Sequence, residues 1–251
     1  MHPVLFKIGP VTIATYGLFV SLGVIAGYLF SLKGSSRCGI SANKISDLLF
    51  VSLASGFITA RVFYILINWD YFIQAPMALI FSRSGFVFYG GLIGGGLAGW
   101  IFVQRNKLPA LTVLDLIAPA VALGHSLGRL GCFSYGCCYG KPTSSFIGMV
   151  FPAGSPAGIG EPVIPTQLIS SFFLLVIFFL LLFVRDRKKF EGQVFLSYLF
   201  LYGLFRFIIE FYRGDPRGYW GIFSVSQWIS LFLIGVSGIF FIKKFIAAGK
   251  K

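Results

Sequence analysis

Charge is what this 251-residue chain has least of: only 12% of its residues are Asp, Glu, Lys or Arg. A soluble domain carries roughly 25%, so the polar surface of a water-exposed globule is missing. Other absences narrow the field further. No segment between the long apolar runs exceeds about 40 residues, which leaves no room for a separate soluble domain. The apolar runs lack the strict alternation of a membrane β-barrel. The first run has no basic leader and no small-residue cleavage site, so it reads as a retained helix and not a cleavable signal peptide. The last run has no lysine at its middle, which excludes a retinal-type receptor. A ring of acidic or carbonyl motifs is also absent, which argues against a channel.

What is present is apolar length. Hydrophobic residues make up 57% of the chain, and its mean hydropathy is +0.86. A helix crosses a bilayer with about 20 apolar residues. Runs of that kind lie near 11–32, 46–67, 86–104, 111–131, 167–184, 194–212 and 224–242. The expected fold class is all-α: a polytopic membrane helix bundle of about seven transmembrane helices forming one domain over 1–251.

The net charge of +13 invites a nucleic-acid reading, but its distribution argues otherwise. With seven spans, 13 basic residues fall on one side, among them Arg185, Arg187, Lys188 and Lys189. The other side holds five: Lys7, Arg83, Lys141, Arg213 and Arg217. The positive-inside rule then places the N-terminus outside and the C-terminus in the cytoplasm. Orientation and anionic lipid account for the basic bias, so no nucleic acid is expected. Three arginines remain, Arg61, Arg129 and Arg206, within or at the ends of spans.

A charge near the bilayer centre costs about 2.5–3.5 kcal/mol on insertion scales, so such residues are functional candidates. The expected topology places all three arginines in the outer half of the membrane. Tyr202, Arg206 and Glu210 are spaced i, i+4, i+8 along one helix face, and His125 and Arg129 are one turn apart. Tyr16 and Tyr89 lie in the outer halves of their spans. An ordinary reading makes Arg206–Glu210 a structural ion pair and the tyrosines interface anchors. The functional reading is an outward-facing polar cavity, in which guanidinium forks match phosphate oxygens. The fitting ligand at that depth is a phospholipid headgroup with its tails still in the membrane.

The run Tyr89-Gly90-Gly91-Leu92-Ile93-Gly94-Gly95-Gly96 permits close helix approach or backbone contact with a ligand. It is not a nucleotide P-loop, since no Gly-Lys-Ser/Thr follows. After Arg129, the stretch from Gly131 to Thr143 is rich in turn residues and is expected to leave the helix as a headgroup loop or lid. It contains Cys132, Cys137 and Cys138. With no histidine nearby, zinc is not expected. Small packing residues, one strained disulfide, or a reactive thiol remain open.

On these residues the chain resembles the bacterial prolipoprotein diacylglyceryl transferases, over nearly its whole length. The N-terminal His2-Pro3-Val4-Leu5-Phe6 with Ile8-Gly9-Pro10 and Tyr16-Gly17-Leu18 is similar to the start of that family. Gly90-Gly91-Leu92-Ile93-Gly94-Gly95 resembles its third span, and Gly128-Arg129-Leu130-Gly131 with Phe133 its signature. Pro165-Thr166-Gln167-Leu168 and Tyr202-Gly203-Leu204-Phe205-Arg206, then Glu210-Phe211 and Arg213, follow in the family's order. The resemblance implies transfer of the diacylglyceryl group of phosphatidylglycerol to the lipobox cysteine of a prolipoprotein signal peptide. A thioether forms and glycerol 1-phosphate leaves, without metal or other cofactor, in a bacterial cytoplasmic (inner) membrane. It implies catalytic roles for Arg129, Arg206 and Tyr16, and headgroup binding by Arg129, Arg206, Tyr202, Glu210 and Gly140, with Arg61 in support.

The chain departs from the family pattern at four places. Cys132 stands for the usual Asn, Cys137 for Glu, Tyr89 for a third-span His, and Ile164 for the His before the fifth span. His125 or Tyr89 is the expected replacement in proton handling. The alternative is a lipid-binding or lipid-translocating protein that keeps the cavity without the chemistry.

Overall fold

The structure, a computed structural model, describes residues 4–9, 11–80, 82 and 85–249. It opens with an antiparallel hairpin of β1 (Val4–Ile8) and β2 (Val11–Ala14). The sequence expectation started a helix at residue 11. Val11, Thr12 and Ile13 are all β-branched, which favours the strand, and helix α1 (Thr15–Ser35) begins only after them. A 3-10 turn follows at Ser36–Cys38. Then come α2 (Ala42–Ile67), the short α3 (Trp69–Gln74) and α4 (Pro76–Ile80), and α5 (Phe88–Arg105). The chain continues through α6 (Ala110–Tyr135), α7 (Thr166–Asp186) and α8 (Gln193–Glu210). A small hairpin, β3 (Tyr219–Trp220) with β4 (Phe223–Ser224), leads into α9 (Val225–Gly249).

The architecture is all-α, and six helices among the described residues are long and apolar enough to cross a membrane. They correspond to six of the seven expected spans. The remaining one, α5, carries six glycines between Gly90 and Gly99 and ends in Gln104-Arg105, which lowers its hydropathy. Large apolar side chains face outward on these helices, including Phe50 at 72%, Phe172 at 63% and Phe232 at 66% exposure. In water such a surface would drive association; in a bilayer it meets lipid tails.

The chain divides into two compact units: residues 1–31 with 114–251, and residues 32–113. In the second unit, α2 and α5 pack through glycine. A Cβ added at Gly91 would lie 3.1 Å from the Gly56 carbonyl, and one at Gly95 only 2.7 Å from that of Ser52. This is the close backbone approach that small residues allow between membrane helices.

The first unit repeats the device between α1 and α6, where a Cβ on Gly23 would lie 2.6 Å from the Gly124 carbonyl. Between α6 and α7 the Ser126 and Ser171 hydroxyls each donate to the other's backbone carbonyl, at 2.8 and 2.9 Å. Ala118 and Ala122 of α6, Ile177, Phe178 and Leu181 of α7, and Val194 and Tyr198 of α8 form its apolar core. The start of α8 is fixed by a side chain from α6. Buried Asp115 accepts the backbone N–H groups of Gly192 (2.9 Å) and Phe195 (3.0 Å), and Lys188 balances its charge at 3.3 Å. A carboxylate there satisfies helix-end donors and meets the positive end of the α8 dipole.

Candidate active site

The candidate residues of the first unit converge where α6, α8 and the loop after α6 meet. α6 carries His125 and Arg129 one turn apart and runs on to Tyr135, about one turn beyond the expected break. The chain leaves the helix at Gly136, whose φ of 82° suits glycine. Tyr16, at the start of α1 and 43% exposed, lies against this helix end: a Cβ on Gly131 would sit 3.1 Å from the Tyr16 carbonyl. Its ring meets Tyr135 edge-on with centroids 6.5 Å apart.

α8 presents Tyr202, Arg206 and Glu210 along one face. The Tyr202 ring lies 5.5 Å from that of His125 and stacks on Tyr198 at 5.8 Å. His125 is within electrostatic reach of both Arg129 and Arg206. Arg206 donates to Ser226 Oγ at 2.9 Å, and its Nη1 lies 2.6 Å from Glu210 Oε2. That contact is bent out of hydrogen-bond alignment, so it acts as an ion pair. Glu210 Oε1 accepts from Ser224 Oγ at 2.8 Å and has Arg217 Nε at 3.6 Å.

Arg129 differs from its neighbours. None of the ion pairs among the described residues involves it, and its buried Nε has no acceptor among them. An uncompensated guanidinium in an apolar protein is costly. It is also the group best able to receive an anion.

Gly140 is needed for a close crossing. Its N–H donates to the Ile164 carbonyl at 2.9 Å, and an added Cβ would fall 2.6 Å from that oxygen. On its other side, the Gly214 N–H donates to the Tyr139 carbonyl at 3.1 Å and the Lys141 N–H to that of Tyr212 at 2.9 Å. The loop from Cys137 to Lys141 is thus held by the segments entering α7 and leaving α8. Thr166 Oγ1 and Gln167 Nε2 complete the grip by donating to the Cys138 and Cys137 carbonyls at 2.7 and 2.8 Å.

Behind this loop is Arg213, which sequence reasoning assigned only to the topology count and the family pattern. It is buried and pairs bidentately with Asp215, both contacts at 2.8 Å, while Arg217 also reaches Asp215 at 3.0 Å. Burial works to raise the Asp215 carboxyl, but the hydrogen bonds and charges of Arg213 and Arg217 outweigh it and hold it below the usual carboxylate range. Asp215 and Ser224 went unrecognised beforehand. The only available signal was the short spacing Arg213-x-Asp215-x-Arg217.

The cysteines of the loop are free thiols. Hydrogen bonds from the Cys132 and Cys137 thiols, with Arg213 and Arg129 nearby, push the Cys138 thiol down. Cys137 is pushed up by its hydrogen bonds to Cys132 and Cys138 and by burial.

The second unit holds the other two candidates. Arg61 donates to the carbonyls of Leu79, Ile80 (3.0 Å), Ser82 (2.9 Å) and Gly85 (2.8 Å), and its guanidinium lies near the Tyr64 and Phe86 rings. It ties down the loop between α4 and α5. Tyr89 is the second residue of α5, 49% exposed, with its ring edge-on to Phe88.

Known proteins resemble this chain over nearly its whole length. A family model described as prolipoprotein diacylglyceryl transferase matches residues 3–243. A protein of Clostridium tetani named phosphatidylglycerol–prolipoprotein diacylglyceryl transferase is 39% identical over 96% of this chain and 96% of its own length. Transferase 2 of that name from Clostridium perfringens is 38% identical over 95% of this chain and 93% of its own. The Finegoldia magna transferase is 36% identical over 95% and 94%. With the family model spanning nearly all of it and such relatives matching end to end, the chain belongs to the prolipoprotein diacylglyceryl transferase family.

Proposed function

We propose that this protein transfers the diacylglyceryl group of phosphatidylglycerol to the lipobox cysteine thiol of a prolipoprotein, with Arg129 as the principal phosphate-binding group. The observation that carries the site assignment is the partly buried Arg129, which has no ion-pair partner among the described residues, beside the Arg206–Glu210 pair. The reaction makes a sulfur–carbon bond and breaks the bond between the glyceryl carbon and a phosphate oxygen. The thiol loses its proton, and glycerol 1-phosphate departs with one more negative charge than the diester held. Cations placed before the reaction at the developing charge lower the barrier without reorganising. Arg129 supplies that cation. Arg206, held by Glu210 and Ser226, supplies a second one nearby in the site's electrostatics.

The attacking nucleophile arrives on the substrate, so the protein needs a proton acceptor and not a nucleophile of its own. In this reading His125 takes that proton, since it lies one helical turn before Arg129 on α6 and packs against Tyr202. Tyr16, exposed at the start of α1, and Gly140, in the tightly held loop, line the approach of the headgroup. The wider reading is a seven-span domain over 1–251, with α5 as the remaining span, in the cytoplasmic membrane. Its N-terminus and site face outward, where exported prolipoproteins present their lipobox.

The test is to incubate purified protein with phosphatidylglycerol vesicles and a lipobox peptide. Thioether-linked peptide and released glycerol phosphate in equal amounts support the reading. Binding of lipid without either product would favour the lipid-binding alternative.

A further inference from the structure

We propose that Cys132, Cys137 and Cys138 form a three-sulfur site for a soft, thiophilic metal ion of the copper(I) class. The three Sγ atoms all lie within 4.8 Å of one another, and all three belong to free thiols. An ion at the centre of a sulfur triangle, with thiolate–metal bonds of about 2.3 Å, needs sulfurs about 4 Å apart. No pair of sulfurs is therefore more than about 0.8 Å beyond the ligating separation.

The backbone around it is built to hold that arrangement. Cys132 is fixed on the last turns of α6. Gly136 and Cys138 then turn the chain back through positive φ values of 82° and 64°. For a residue with a side chain, the second value is a sparsely populated conformation that costs on the order of 1–3 kcal/mol. It is held by buried Thr166 and Gln167, whose side chains clamp the carbonyls of Cys138 and Cys137. That strained backbone turns the Cys138 thiol towards the other two.

The donor set selects the ion. Three sulfurs with no histidine and no carboxylate among them suit a metal that accepts trigonal coordination. Zinc instead favours four ligands. Binding Cu⁺ to three thiols releases three protons to solvent and leaves a complex of charge −2, with no change in oxidation state. Arg129 and Arg213, both within electrostatic reach of Cys138, offset that charge.

The probe is Cu(I) alone, presented anaerobically from a chromophoric chelator to the reduced full-length protein in detergent micelles. The expected result is that wild type withdraws one equivalent. Cys132→Ser, Cys137→Ser and Cys138→Ser each weaken uptake at least tenfold, while Cys38→Ser leaves it unchanged. Thiol alkylation of the wild type provides a readout independent of any variant's folding: one equivalent of Cu(I) should protect these three cysteines and leave Cys38 reactive. Failure to take copper, or alkylation of the three at the copper-free rate, overturns the proposal. Uptake that survives the triple serine variant does so as well.

Discussion

Glu210 occupies an unfavourable place for an acid, and the Arg206–Glu210 pair can be dissected for that reason. It is the last residue of α8, where the helix dipole is negative, and its side chain is only 3% exposed. Arg206 Nη1 lies 2.6 Å away and the Ser224 hydroxyl donates to it at 2.8 Å. Replacing Glu210 by Leu leaves the Arg206 guanidinium, 12% exposed, without its carboxylate. Breaking a buried pair from one side costs about 3–5 kcal/mol. Replacing Arg206 by Met is milder, about 2–3 kcal/mol by the same reasoning, because Arg217 at 3.6 Å still faces Glu210. The double variant leaves neither charge stranded, so it should recover at least about 2 kcal/mol relative to the sum of the singles. Unfolding followed by titration with a denaturing detergent measures all three. Stability losses that add within about 0.5 kcal/mol would refute the coupling. The double variant should fold yet transfer no diacylglyceryl group, because its restored stability comes without the second cation of the site.

Other perturbations probe the frame. Gly23→Ala should destabilise the protein by about 1–3 kcal/mol through overpacking, since its Cβ would sit 2.6 Å from the Gly124 carbonyl; a melting temperature equal to wild type would contradict that crossing. Asp115→Ala should cost about 2 kcal/mol by removing the α8 cap, and hydrogen exchange should report faster opening at Gly192 and Phe195 while α9 is unaffected. The Asp215 carboxyl is held below its ordinary range, so its stabilisation is complete above the unfolded carboxylate pKa of about 4 and is lost as pH falls through the lower folded value. Asp215→Asn should accordingly be destabilised at neutral pH, with the gap to wild type closing in acid; a gap independent of pH would contradict the pairing with Arg213.

The parts of this molecule that were readable in advance are those set by short-range pattern. Apolar length announces six of the helices, and the i, i+4 spacing of Tyr202, Arg206 and Glu210 places them on one face. The glycine run of α5 announces close packing, which α2 accepts at Gly56 and Ser52. The N-terminal hairpin was hidden because its strands are short and merge into the apolar run of α1. The grip on the loop from Cys137 to Lys141 depends on Ile164, Thr166, Gln167 and Tyr212, which lie more than 20 residues away in sequence. No local spacing reveals that closure, nor the meeting of Cys132 with Cys137 and Cys138 across a helix end. Asp115 was equally silent, since the N–H groups it receives come from α8, far along the chain.

The central claim is that Arg129, without an ion-pair partner among the described residues, is the phosphate-binding cation of a diacylglyceryl transferase. The most direct measurement is complementation of a bacterium depleted of its own transferase, using the wild-type chain, Arg129→Ala and Arg206→Ala at matched membrane abundance. Loss of a preorganised charge donor costs about 10²–10³-fold in rate, so the wild type should restore growth and lipidated prolipoprotein while Arg129→Ala does not. Full rescue by Arg129→Ala would contradict the assignment.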